Sequence, residues 1–378
     1  MAIPTLTMIP SGYKAEKVYS VLPTNGDGDF TFDRNNAGTR VNKDGLIEQV
    51  DTDIPRLDYS DGSCPSLLLE PASVNLAVYS QDFSQSDWTV FDVSKSANSV
   101  LSPDGTLNGA RITALDGTNK AFQQLVTVSA DPSNDRVFTG SIYIKSSSVT
   151  SCFLRVGSAT SNNAITISNE WQRFEAQYTL AATFTAVRLG IVLNNEGDEV
   201  DVAFGQVEEK PYATSYIPTT TSGTASRGAD LELDSGDLSN YINSTQGVYY
   251  TEIKFDYSTE RVASTGGLVL GSDNSFPSPQ SIEISMSETG AFRIGKRDSS
   301  FTELVSLPSG VNYKVAVKWD SLNLSIYVNG VEEATSTISS TDFQYIYHSS
   351  GDSSKYIKDL RVYNTALTDA ELIKLTTI

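Results

Sequence analysis

One histidine, His348, and two cysteines, Cys64 and Cys152, are all that 378 residues offer to nucleophile and soft-metal chemistry. A Ser–His–Asp or Cys–His system would have to be built on His348, and no G-x-S-x-G turn is present to expose a nucleophile. With no C-x-x-C spacing and no Cys/His cluster, neither a disulfide framework nor a zinc site is implied. Both cysteines read as buried free thiols, since Cys packs as a small hydrophobe. Basic residues are also short, at 27 Lys+Arg against 46 Asp+Glu for a net charge of -19. Nucleic acid and anionic membrane both need a positive field, so neither is expected as a partner. Long apolar runs are missing as well. The richest stretch, 181–193, is broken by Thr and by Arg188, so no membrane insertion is expected. Met1-Ala2-Ile3-Pro4-Thr5 lacks the basic start and apolar core of a secretory leader, which predicts folding in a cytoplasm.

What is present is strand chemistry. The hydrophobic fraction is 39%, with 18 Tyr and 15 Phe, enough for ordinary β cores. Short runs rich in β-branched and aromatic residues, such as 137–145, 186–193, 248–255, 281–286 and 313–319, sit between Gly, Asn, Asp and Ser clusters. Apolar residues alternate through Leu322-Asn323-Leu324-Ser325-Ile326-Tyr327-Val328 before Asn329-Gly330. That dipeptide marks a tight hairpin, because both central residues of a type I′ turn need positive φ. Helix is scarce. Thr368-Asp369-Ala370-Glu371 spells a capping box, followed by an apolar stripe of Leu372 and Leu375 too short to stand undocked. The fold class is therefore all-β: two consecutive antiparallel β-sandwiches after a short N-terminal β-rich region, closed by one short helix. The Thr/Ser/Gly-rich run Pro218–Gly228 reads as the linker. The expected boundaries are 1–75 for the N-terminal region, 76–218 for the first sandwich, 219–246 for linker and leading strand, and 247–378 for the second.

Three stretches carry resemblances. Val315-Ala316-Val317-Lys318-Trp319, Leu324 to Gly330, Ile357 to Asn364 and Ala366 to Leu372 occur in that order. Together they resemble the laminin-G-like, concanavalin-A-like jelly-roll superfamily, a fold that serves lectins, glycanases and structural domains alike. Asn75-Leu76, Tyr79 to Phe83, Trp88-Thr89, Ser102 to Thr106, Glu170 to Phe174, Phe204 to Glu208 and Ala213 to Thr219 resemble a carbohydrate-binding-module-type sandwich common in phage structural proteins. Gly28 to Phe32, Thr39 to Asn42, Asp44 to Glu48, Pro55 to Tyr59 and Cys64 to Pro71 resemble a leader of phage virion proteins. These resemblances imply a bacteriophage tail-fibre or head-fibre protein located in the virion and assembled in the host cytoplasm. The N-terminal region would attach it to other virion proteins, and the sandwiches would meet host surface glycans. The setting also implies a homo-oligomer, a trimer being the form to test, although no heptads enforce one.

Candidate site residues follow from that setting. The three tryptophans, Trp88, Trp171 and Trp319, fall where the templates place core residues, so they are expected inside. The aromatics left for stacking on a sugar are Tyr345, Tyr347 and Phe276, with His348 and Asp352 beside them to meet hydroxyls. His348, at the end of a strand entering a polar loop, is expected at the surface. No cofactor is required. Structural calcium is kept open at Asp27, Asp29 and Asp33, although Phe30 stands where a calcium loop needs its Gly and Asn36 where it needs Glu, which favours a simple turn. The loop from Asn194 to Asp201 reads as solvated. Jelly-roll glycanases set alternating acids on one strand, and Glu252-Ile253-Lys254-Phe255-Asp256 comes nearest, but Lys254 replaces the middle acid. The expectation is a protein that is not an enzyme. A purely structural capsid decoration and a polysaccharide depolymerase are the alternatives.

Overall fold

The computed structural model describes residues 2–230, 232–256, 267–275, 277–287, 289–348 and 353–378. Strands dominate, and Asp369–Thr376 is the one α-helix among the described residues. The chain forms two compact units. The first comprises Met1–Lys43, Gln49–Ala72 and Gly228–Ile378, and the second Asp44–Glu48 and Ser73–Arg227.

That division corrects the expected domains, because region 1–75 does not stand apart. Leu6–Met8 pairs with Lys355–Tyr363 in the register Leu6↔Val362, and Ser66–Leu69 pairs with the same strand at Leu67↔Ile357. Phe30–Asp33 pairs with Glu232–Asp234. The physical reason is alternation: Leu6, Met8, Phe30, Phe32, Leu67 and Leu69 are buried in the same core as Tyr249, Ile294 and Trp319. A segment with one apolar face per strand is stable only when that face is covered. The linker boundary also shifts. Ala225–Arg227 pairs antiparallel with Ser73–Asn75, so the chain enters and leaves the second unit along two adjacent strands.

The first unit packs an eight-stranded sheet against a nine-stranded one. At its heart Trp319 is fully buried, and its indole donates to the Asn243 carbonyl (2.8 Å), so the one polar atom of the ring is satisfied. Asn329 and Gly330 take φ of 49° and 87°, as the hairpin requires. The predicted capping box forms: the Glu371 amide donates to Thr368 Oγ1 and the Thr368 amide to Glu371 Oε2. Leu372 then docks the helix on Tyr250, Ala316, Tyr327 and Tyr363, over the outer face of the eight-stranded sheet.

The second unit is a sandwich of two five-stranded antiparallel sheets. Trp88 stacks on Phe122 at 5.2 Å with Phe83 edge-on, and its Nε1 donates to the Tyr79 carbonyl. Gly205 is what admits the indole, since a Cβ there would lie 2.6 Å from Trp88 Cη2. Trp171 departs from expectation. It precedes the edge strand Gln172–Leu180 and is only partly buried, with its Nε1 donating to the Leu101 carbonyl (3.1 Å) and Lys145 Nζ 4.8 Å above its ring. An edge strand has a neighbour on one side only, so a large ring at its start stays half in solvent. Cys152 is buried as expected, but Cys64 is exposed, because it sits in a turn ahead of Ser66–Leu69.

Candidate functional site

The strand Tyr345–His348 sits inside the nine-stranded sheet, between Glu232–Asp234 and Gly267–Gly271. Neighbours on a strand point to opposite faces, so the candidate set is divided. Ile346 enters the core, which puts Tyr345 and Tyr347 on the outer face and His348 on the inner one. His348 is therefore not a surface residue. It is 7% exposed, and the Lys355 ammonium donates to its Nε2 at 3.0 Å. Burial first, and the Lys355 charge second, hold its pKa well below 6.5, so the ring is neutral. Phe276 and Asp352 lie outside the described residues.

The outer face is organised as two rows. Tyr345, Gly271, Ser281, Arg297 and Phe301 stand in register across five strands, and Tyr347, Val269, Glu283, Gly295 and Glu303 form the next row. Strand spacing makes each row about 19 Å long. Glu283 is almost fully buried and accepts from Arg297 Nε (2.6 Å), Arg297 Nη2 (3.3 Å) and Ser281 Oγ (3.1 Å). The Phe301 ring lies over Gly295, where a Cβ would be 2.3 Å from Phe301 Cζ. The Arg293 guanidinium sits 4.3 Å from that ring's centroid and Arg297 5.8 Å. Tyr347 is buried, its hydroxyl donates to the Ser275 carbonyl (2.7 Å), and burial raises its pKa. Tyr345 and Phe301 are the half-exposed aromatics, one at each end of the first row. Glu283 is buried and its oxygens are taken, so it fixes Arg297, and the half-exposed groups left to meet a polyhydroxylated ligand are the Arg297 guanidinium and the Phe301 and Tyr345 rings. Sequence reasoning missed Glu283, Arg297 and Phe301, because their grouping depends on register between strands with no local signature.

The calcium candidates do not converge. Asp27 accepts from Tyr241 (2.6 Å) and Asn25 (2.8 Å), which lowers its pKa. Asp29 accepts from the Ser20 amide (2.9 Å) and faces Lys17. Asp33 has a raised pKa, through desolvation first and then the neighbouring Asp53 and Glu16. Among the described residues no group of three or more His, Cys, Asp or Glu is arranged to hold a metal ion. In the Asn194–Asp201 loop, Asp198 accepts from the backbone of Asn194 and Asn195, and Asp201 pairs with Arg111.

The two units thus define an all-β protein of paired sandwiches with an aromatic and polar outer face on the larger one. Residues 239–373 match the model of the concanavalin A-like lectin/glucanases superfamily. No curated protein matches the chain significantly. Among solved structures, domain 4 of the extracellular arabinanase AbnA from Geobacillus stearothermophilus, in complex with arabinotriose, is 17% identical with a TM-score of 0.31, covering 44% of this chain and 82% of that one. The CBM40 domain of the Ruminococcus gnavus IT-sialidase, bound to α2,3-sialyllactose, is 18% identical with a TM-score of 0.29, covering 38% and 91%. The tandem CBM22 domains of Paenibacillus barcinonensis Xyn10C are 10% identical with a TM-score of 0.28, covering 78% and 99%. Likenesses this distant assign neither a ligand nor an activity to this chain.

Proposed function

We propose that the chain is a virion surface protein of a bacterial virus, a tail-fibre or head-fibre component, that presents its sandwiches for weak, multivalent contact with host surface carbohydrate without reacting on it. The observation that carries the glycan reading is the outer face of the nine-stranded sheet, where Phe301 and Tyr345 flank the Glu283–Arg297 pair. Such a face gives modest affinity per copy, and several copies held on one particle multiply it by effective concentration. The virion reading is supported by the sequence resemblances, above all in 64–71 and 213–219. The second of these phrases has structural work in this chain: Thr214 Oγ1 donates to Glu208, Tyr216 OH meets Ser80 Oγ, and Thr219 Oγ1 donates to the Ala77 carbonyl. Absence of catalysis is supported by Lys254, which replaces the middle acid of the glycanase pattern and lies 4.3 Å over the Tyr356 ring.

Binding of the full chain to host envelope polysaccharide, measured on a surface, tests the glycan reading. Phe301→Ala and Tyr345→Ala should each weaken it several-fold, and unchanged binding by both would overturn the site. Gold-labelled antibody against the chain should decorate assembled particles. A particle that carries none refutes the virion reading, and reducing ends released from the polysaccharide refute the non-enzymatic one. Burial of Trp88, Trp319 and Tyr347 favours a second reading, a structural virion protein without glycan specificity. Tight binding to capsid subunits with no binding to any envelope fraction would select it.

A further inference from the structure

The second unit carries an unusual cationic group on the outer face of one of its sheets. In the strands Ala121–Thr127, Ala186–Val192 and Ser151–Gly157, residues Phe122, Leu189, Ile191, Leu154 and Val156 face the core. Alternation therefore sends Gln123, Arg188, Gly190, Phe153 and Arg155 to the other side. Gln123, Gly190, Arg155 and Asn162 stand in one row across four strands. Arg155 spans that row, donating through Nε to Asn162 Oδ1 (2.9 Å) and through Nη1 to Gln123 Oε1 (2.8 Å). It crosses the middle strand at Gly190, where an added Cβ would meet the Phe122 carbonyl oxygen at 2.1 Å. Arg188, paired with Gly157, is one diagonal step away on the same face.

Neither arginine has an ion-pair partner among the described residues, and both acceptors of Arg155 are neutral amides. Arg155 is only 5% exposed. Burial, and after it the Arg188 charge, lower its pKa, with no carboxylate among the described residues to oppose them. A buried guanidinium beside a second one is costly without a counter-charge. It is the more notable in a chain with 46 acidic residues against 27 basic ones, where an acid could readily have been placed nearby. The missing partner is an anion, and the planar fork of Arg matches a carboxylate in two-point contact.

We propose that this face binds an acidic glycan, with Arg188 and Arg155 holding the carboxylate of a uronic- or sialic-type sugar. Gln123 and Asn162 meet its hydroxyls, and the half-buried Phe153 ring lies beside it. The proposal rests on the glycan-binding reading of the chain but places a second site, with its own ligand class, on a different unit.

Calorimetric titration of the full chain with an oligogalacturonate, and with the same oligomer after carboxyl reduction, tests it. The acidic oligomer should bind and the reduced one should not. Arg188→Gln, at a half-exposed position that leaves the core intact, should weaken binding about tenfold or more, the loss expected for a charge-assisted contact. Arg155→Lys keeps the charge without the fork and should also weaken it, whereas Phe301→Ala on the other unit should not. Absence of binding, equal binding of the reduced oligomer, or an Arg188→Gln variant that binds as well as the wild type overturns the proposal. Equal affinity for dextran sulfate would reduce the site to a general anion patch and overturn the carboxylate assignment. Neutral host polysaccharide bound through Phe301 with no uronate binding leaves the broader reading standing and removes this one. Uronate binding through Arg188 with no binding to host surface does the reverse.

Discussion

Replacing His348 by Gln isolates what it costs to keep an imidazole neutral inside the first unit. The ring is 7% exposed and its Nε2 accepts from Lys355, so protonation would put a second positive charge beside a buried ammonium. Its folded pKa is held well below 6.5, by burial first and then by Lys355. A depressed folded pKa means that the unfolded chain takes up the proton first. His348 is therefore neutral in both states above about pH 6.5, and stability falls as the pH drops below that value towards the folded pKa. Between the folded and unfolded pKa values the slope approaches about 1.4 kcal/mol per pH unit. Gln keeps an acceptor for Lys355 and has no proton to gain. Urea unfolding of wild type and His348→Gln across this range should give free energies whose difference shifts with that slope in favour of the variant. The subtraction removes the titrations of the many acidic residues that both proteins share. His348 is the one histidine in the sequence, so its C2–H resonance reads the folded pKa without assignment. A resonance that titrates at or above 6.5, or a difference that does not move with pH, would refute the buried placement.

Other outcomes follow from the same packing. Ellman's reagent should titrate one thiol in the native protein, Cys64, and a second only on unfolding, because Cys152 is buried and desolvation pushes its pKa up to about 12. Asp230→Asn should destabilise the first unit by about 3–5 kcal/mol in denaturant titration, since Asp230 answers both Arg34 (3.1 Å) and Arg56 inside a group that is wholly buried. Loss of less than about 1 kcal/mol would mean that the group is solvated. Trp88→Ala should cost the second unit about 3–5 kcal/mol by opening a void between Phe83 and Phe122, and Gly205→Ala should destabilise the same unit through the Cβ contact with Trp88.

Much of the fold was legible because its signals are local. The Asn329-Gly330 turn and the Thr368–Glu371 capping box are set by residues within a few positions of each other, and both formed as read. The site was legible only in part. The sequence marked Tyr345 and Tyr347 as loop or edge aromatics free to stack on a sugar, but period-two alternation says that two faces exist without saying which one is core. His348 consequently went to the inner face and Trp171 to an edge. Glu283, Arg297 and Phe301 had no sequence signal at all, because three separate strands bring them together.

The sequence by itself determined that this chain is all-β and where its tight turns fall. The tertiary structure decided that the first residues belong with the last. Leu6 meets Val362 across almost the whole chain, because an apolar strand face must be covered and the strand Lys355–Tyr363 had an edge to offer. It also decided which charges are answered. Arg56 finds Asp230 and Glu70, while Arg155 finds two neutral amides and no carboxylate among the described residues, and that difference depends on which strands lie side by side.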